Sequence, residues 1–149
     1  MLKVTALLLL TAFVFGQSKG DPAPKPRLAT LQQQKMCDEQ AKKKFHEDNP
    51  KPNGTTDYTS HYDARANVCY MMVHYVSTEG GKASVLDNVY DAFEGRTYAS
   101  YTWINSEGKK YWEVAPMECW VKPLGQQKQT CKDSAEFEAM VDKNFGIGK

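Results

Sequence analysis

Apolar positions recur at helical spacing near both ends of the chain and crowd into short runs in its middle. From Leu28 to about Glu47 the chain is rich in Gln, Lys, Ala, Glu and Leu, good helix formers with no Gly or Pro among them. Cys37, Ala41 and Phe45 fall four apart and share one face, with Leu31 near that stripe. The expectation is an amphipathic helix whose Cys37 face lies on a core. Asn49-Pro50-Lys51-Pro52-Asn53-Gly54 ends it, and Asn49 to His61 reads as loop by composition. Asn53-Gly54-Thr55 fits an N-glycosylation acceptor, but an Asn-Gly turn explains it as well.

Val68 to Val76, VCYMMVHYV, has apolar residues at both parities, which predicts a strand covered on both sides. Glu79-Gly80-Gly81-Lys82 reads as a turn. An aromatic-rich meander follows between Asn88 and Val114. Val85 to Phe93 is one strand, Thr97 to Ile104 the next, with Glu94-Gly95-Arg96 between them. Lys110 to Ala115 is expected as a third strand and Met117 to Lys122 as a further one, closed by Pro123-Leu124-Gly125. Asp133 then caps a second helix, with Glu136 three residues later and Phe137, Met140, Val141 and Phe145 at helical spacing. Gly146 stops it. The reading is α+β: an antiparallel sheet of four or five strands with an N-terminal and a C-terminal helix.

The organisation follows from the first residues. Lys3 and the apolar run Val4 to Phe15 describe a secretory signal peptide over residues 1–16, because the run is shorter than the ~20 residues of a membrane span. Residues 17–27 are polar with three prolines and read as a flexible leader. Residues 28–149 are then a single domain without stable membrane insertion. The chain carries 19 basic and 18 acidic residues, and losing Lys3 balances them. A neutral domain has no long-range pull on nucleic acid, and none is expected as a partner. Lys42-Lys43-Lys44 sits among acidic residues and reads as a solvated helix face.

Cysteine usage changes the picture more than charge does. Four Cys in an exported chain suggest two disulfides. Three pairings are open. Cys37 with Cys69, and Cys119 with Cys131, are favoured because each joins neighbours along the chain.

Candidate chemistry is sparse. His46 lies where a helix dipole favours a cation, and His74 lies within the apolar strand. His61 and Asp63 are two apart, but nothing supplies a third metal ligand. Asp87 and Asp91 share a strand face by alternation, Glu94 is at the next turn, and Glu113 is on a later strand. Two such carboxylates can divide acid and base roles when their environments differ. Asp91, Glu94, Arg96 and Glu113 form the candidate surface site, without an assigned catalytic role. No nucleophile elbow, phosphate-binding loop or dinucleotide fingerprint occurs, and no cofactor or metal is expected.

The succession of helix, meander and two disulfides resembles cystatin-type protease inhibitors in outline. It has neither a Gln-x-Val-x-Gly loop nor a Pro-Trp pair, so that activity is not carried over. A fuller resemblance rests on Tyr58-Thr59-Ser60-His61-Tyr62, Cys69-Tyr70, Tyr90-Asp91-Ala92-Phe93-Glu94-Gly95-Arg96 with Tyr98-Ala99 and Trp103, then Cys119, and Cys131 before Glu136-Phe137. In these pieces the chain resembles exported, uncharacterised small proteins of Acidobacteria. The resemblance implies a bacterial, secreted or periplasmic origin and no particular activity. The expected role is a small non-catalytic binding or interaction protein whose partner is a protein or a small ligand. The alternatives are a carboxylate-dependent hydrolase of the cell envelope and an inhibitor of an envelope enzyme.

Overall fold

The computed structural model describes residues 28–50, 55–79, 81–105, 109–110 and 113–147. The expected signal peptide, the leader and the Asn53-Gly54 turn lie outside the described residues. In chain order the elements are α1 (Leu31–Asp48), β1 (Thr55–Asp63), β2 (Val68–Glu79), β3 (Lys82–Asp91), β4 (Thr97–Ile104), β5 (Glu118–Val121), β6 (Gln129–Thr130) and α2 (Ser134–Phe145). The strands form a six-stranded sheet in the order β1-β2-β3-β4-β5-β6, each pair antiparallel. The class is α+β with a helix at either end, as the pattern predicts, and the sheet is wider than the four or five strands expected.

The difference has local causes. β1 lies in the stretch that composition assigns to loop. Its burial alternates, with Thr56, Tyr58, Ser60 and Tyr62 inward and Thr55, Asp57, Thr59 and His61 outward. Small hydroxyl residues on both faces hide that period from an apolar count. The expected strand at Lys110 to Ala115 is instead a turn among its described residues. Glu113 N–H donates to Lys110 O (2.9 Å), and Glu113 Oε2 accepts from Lys110 N (3.0 Å). Tyr111 and Trp112 lie outside the described residues. The neighbour of β4 is β5, with Ala99 opposite Val121 and Tyr101 opposite Cys119.

Two cores flank the sheet. On one face α2 lays Phe137, Val141 and Phe145 over Tyr70, Val89, Tyr98, Ala99, Tyr101 and Val121. The register slips between Val89 and Tyr90, leaving Tyr98 as an extra residue on β4, so Tyr98 and Ala99 both enter this core. On the other face α1 presses Cys37 and Ala41 onto Cys69, Met71 and Ala92, and Phe45 packs on Tyr58 at 4.7 Å. β2 is therefore sandwiched, as its continuous apolar run implies. The disulfides are Cys37–Cys69 and Cys119–Cys131. One fastens α1 to β2 and the other fastens β5 to the segment leading into α2. By loop closure each contributes about 3 to 4 kcal/mol.

The helix ends follow side-chain chemistry. Thr30 caps α1 in a full capping box with Gln33, so the helix starts after Leu28 and Ala29. Leu31 is 85% exposed, off the buried stripe rather than near it. Asp133 Oδ1 accepts from Glu136 N (2.8 Å), while the Glu136 carboxylate reaches Lys132 N (3.0 Å), one residue beyond the usual box.

Candidate functional site

The β3–β4 turn is built by Asp91. Its Oδ1 accepts from Phe93 N (2.9 Å) and Glu94 N (3.2 Å), its carbonyl accepts from Gly95 N (2.8 Å), and its own N–H reaches Arg96 O (2.8 Å). Gly95 takes φ 70°, a left-handed value that a side chain would resist. Ala92 is drawn inward, its N–H on Cys69 O at 2.8 Å and its carbonyl on Gln40 Nε2 at 3.0 Å. Phe93, next along the turn, is left 57% exposed.

This turn is one wall of a cleft of about 420 Å³. The Cys37–Cys69 disulfide lines it, and Met36 of α1 stands at the rim, 52% exposed. The opposite wall is polar: Gln33 Nε2 donates to the Tyr62 hydroxyl (3.1 Å), which donates to Asn67 Oδ1 (2.6 Å). Asn67 itself sits at φ 55° in the turn between β1 and β2, which Asn tolerates better than most residues. The cleft thus pairs an apolar side with a fixed row of amide and phenol groups. Such a mixture suits binding of a ligand with an apolar body and a polar edge.

The sequence-derived site residues are only partly brought together. Asp91 and Glu94 both line the cleft. Asp91 is buried as the cap of the turn, and Glu94 is paired with Arg96 at 2.8 Å beside it. Glu113 is elsewhere. It follows the far end of β4, where Trp103 Nε1 donates to Val114 O at 3.2 Å, whereas the Asp91–Arg96 turn precedes Thr97. The run from Thr97 to Trp103 separates them by about 20 Å. Asp87 is 3% exposed and bound to His74 Nδ1 at 2.5 Å on the α2 face of the sheet. The four carboxylates therefore share no single site. His61 and Asp63 do not act together either. Asp63 Oδ1 accepts from Arg65 N (2.7 Å) and Ala66 N (3.2 Å) to hold the β1–β2 turn. Among the described residues no three His, Cys, Asp or Glu side chains cluster to hold a metal ion.

Gln33, Met36, Tyr62 and Asn67 escaped the sequence reading as site residues. Tyr62 directly follows the stretch that composition assigns to loop, Asn49 to His61. The other three become neighbours only once the Cys37–Cys69 bond sets α1 against the β1–β2 turn. Burial shapes the tyrosines around both cores. Tyr70 is pushed up to about 12, by burial first and then by Tyr98, Asp63 and Asp91 nearby. Tyr58 and Tyr90 are raised by burial, with Asp38 and Asp48 respectively adding to it.

No family model, curated protein or solved structure matches this chain. No described helix is long and apolar enough to cross a membrane.

Proposed function

We propose that this is a small exported binding protein that acts without catalysis and takes its ligand in the cleft over the Cys37–Cys69 disulfide. The observation that carries the reading is the pairing of exposed Met36 and Phe93 with the ordered Gln33–Tyr62–Asn67 row across one cleft. Exposed Met and Phe at a rim gain most by covering apolar area, at about 25 cal/mol per Å². The polar row gives that contact an orientation. The occupant is a small aromatic or aliphatic group carrying an amide, either free or as a side chain of an extended peptide.

Saturation-transfer NMR tests this with a panel of small aromatic amides and short peptides containing Phe, Leu or Met. Panel members should bind the wild-type chain, and Phe93→Ser with Met36→Ser should weaken them about tenfold or more. If nothing on the panel binds, or if both substitutions leave binding unchanged, the cleft is not the site.

One observation favours a second reading, a carboxylate-dependent hydrolase: Asp91 and Glu94 line the same cleft. Their partners argue for structure, since Asp91 caps the turn and Glu94 is ion-paired. Glu94→Gln separates the readings. It leaves binding intact if the site only binds, and it abolishes turnover of envelope polymers if Glu94 is a catalytic acid.

A further inference from the structure

We infer that a second site, beside the carboxy-terminal end of α1, binds an uncharged saccharide ring. It does not depend on the cleft over the disulfide. Cys37 and Asp48 are separated by about 16 Å along α1, and each marks one site.

The site exists because α1 packs on β1 and β2 and stops there. At its end Asp48 and Asn49 stand beside Val73 and Tyr75 of β2 and Leu86, Asn88 and Tyr90 of β3, around an open hollow of about 350 Å³. Asn88 is the informative residue. It is only 9% exposed and lines this space, and its side-chain polar atoms are not among the enclosed atoms left without a partner, so they stay open to the pocket. An amide open to a pocket on an otherwise covered sheet face can give its hydrogen bonds to a ligand seated there.

The lining chooses among ligand classes. Val73 and Leu86 give an apolar floor, which suits the C–H face of a ring. Asn88 offers two donors and an acceptor in the middle of that floor. Tyr90 stays a neutral phenol because burial, with Asp48 nearby, raises its pKa. Asp48 is held by Lys44 at 2.8 Å and keeps lone pairs for hydroxyl donors. Among the described residues Asp48 is the one charged group in the lining and it engages the Lys44 ammonium itself, so a phosphate or other anion would meet a carboxylate there. A wholly apolar ligand would cover the Asn88 amide and give it no partner. An uncharged ring with hydroxyls on its edge satisfies every group. The volume lies at the small end of the roughly 300–1,000 Å³ typical of such sites, which suits one ring or two.

The test titrates the ¹⁵N-labelled, disulfide-bonded full chain with glucose, N-acetylglucosamine and the β-1,4-linked dimer of each, with inorganic phosphate as control. At millimolar concentration a saccharide should shift the Asn88 side-chain amide and the Val73 and Tyr90 backbone amides, and leave Phe93 and Glu94 in place. Asn88→Leu removes the amide and keeps a side chain of similar size. It should keep or raise the denaturation midpoint while weakening saccharide binding about tenfold or more. Tyr90→Phe keeps the ring and should weaken binding severalfold, which preserves the test if the leucine variant does not fold. The inference is overturned if no saccharide shifts these resonances, if phosphate shifts them as strongly, or if binding survives both substitutions.

Discussion

Asp91 Oδ1 accepts two backbone N–H groups of the β3–β4 turn, and an ionised oxygen makes such bonds roughly twice as strong as a neutral one. Asp91→Ala leaves those donors without their acceptor and should cost about 1–3 kcal/mol in urea denaturation, with Asp91→Asn costing less. A neutral Asp91→Ala would remove the turn-capping account and return the carboxylate to candidate chemistry. Tyr70 gives a pH prediction. An unfolded phenol titrates near 10, whereas burial pushes Tyr70 up to about 12. The fold therefore favours the protonated form. Its contribution is whole below pH 10 and is lost as pH rises toward 12, by about 3 kcal/mol at most. Denaturation across that window, followed with tyrosinate absorbance, should show the loss, and Tyr70→Phe should flatten it. At this scale the Asp91–Arg96 turn was legible because Asp, Gly and their spacing carry it. The Gln33–Tyr62–Asn67 row was not, since it joins residues far apart in sequence through contacts that no local period records.

Among the elements, α2 was the most legible, because a cap, a helical stripe and a terminal Gly agree over Asp133 to Gly146. The Gly is also constrained from outside. Gly146 sits at φ 65°, and a Cβ there would lie 3.2 Å from His61 Nε2. Gly146→Ala should therefore destabilise by about 1–2 kcal/mol, part from the left-handed backbone and part from crowding. In a His61→Ala background only the backbone part should remain, so a double-mutant cycle in denaturant should show coupling. Simple additivity would mean that the ring moves aside freely. β1, whose His61 makes that contact, was illegible for the opposite reason. Its inward positions are Thr56, Tyr58, Ser60 and Tyr62, which an apolar count cannot separate from loop. Lys110 to Ala115 erred the other way: aromatic and β-branched residues suggested a strand, but the Lys110–Glu113 hydrogen bonds turn the chain instead. β6 is two residues long, shorter than any period, and is held beside Cys131.

At the scale of the whole molecule the two helices are not equally secured. α2 closes a core that spans β2 to β5, whereas α1 buries little more than Cys37 and Ala41 against Cys69, Met71 and Ala92. The exposed pairs along α1, Lys35–Glu39 at 3.7 Å and Lys43–Glu47 at 3.8 Å, run with the cation first, the weaker orientation, and add little. The Cys37–Cys69 bond therefore matters locally as well as through chain entropy: it holds a lightly packed helix on its sheet. Replacing both cysteines by Ala should cost about 3 to 4 kcal/mol globally. It should also let α1 open below the global unfolding energy, a sub-global event visible in hydrogen exchange. Exchange should rise in the α1 amides while those of α2 and β4 keep their protection relative to global stability. Replacing Cys119 and Cys131 should lower stability by a similar amount without that selective loosening, because β5 remains paired to β4 and α2 remains on its core. The comparison also separates floor from scaffold in the cleft. Ligands of the Met36–Phe93 cleft should weaken in the first variant and not in the second. Equal loosening of both helices, or equal loss of binding, would show that α1 draws its stability from the sheet as a whole and not from its one covalent tie.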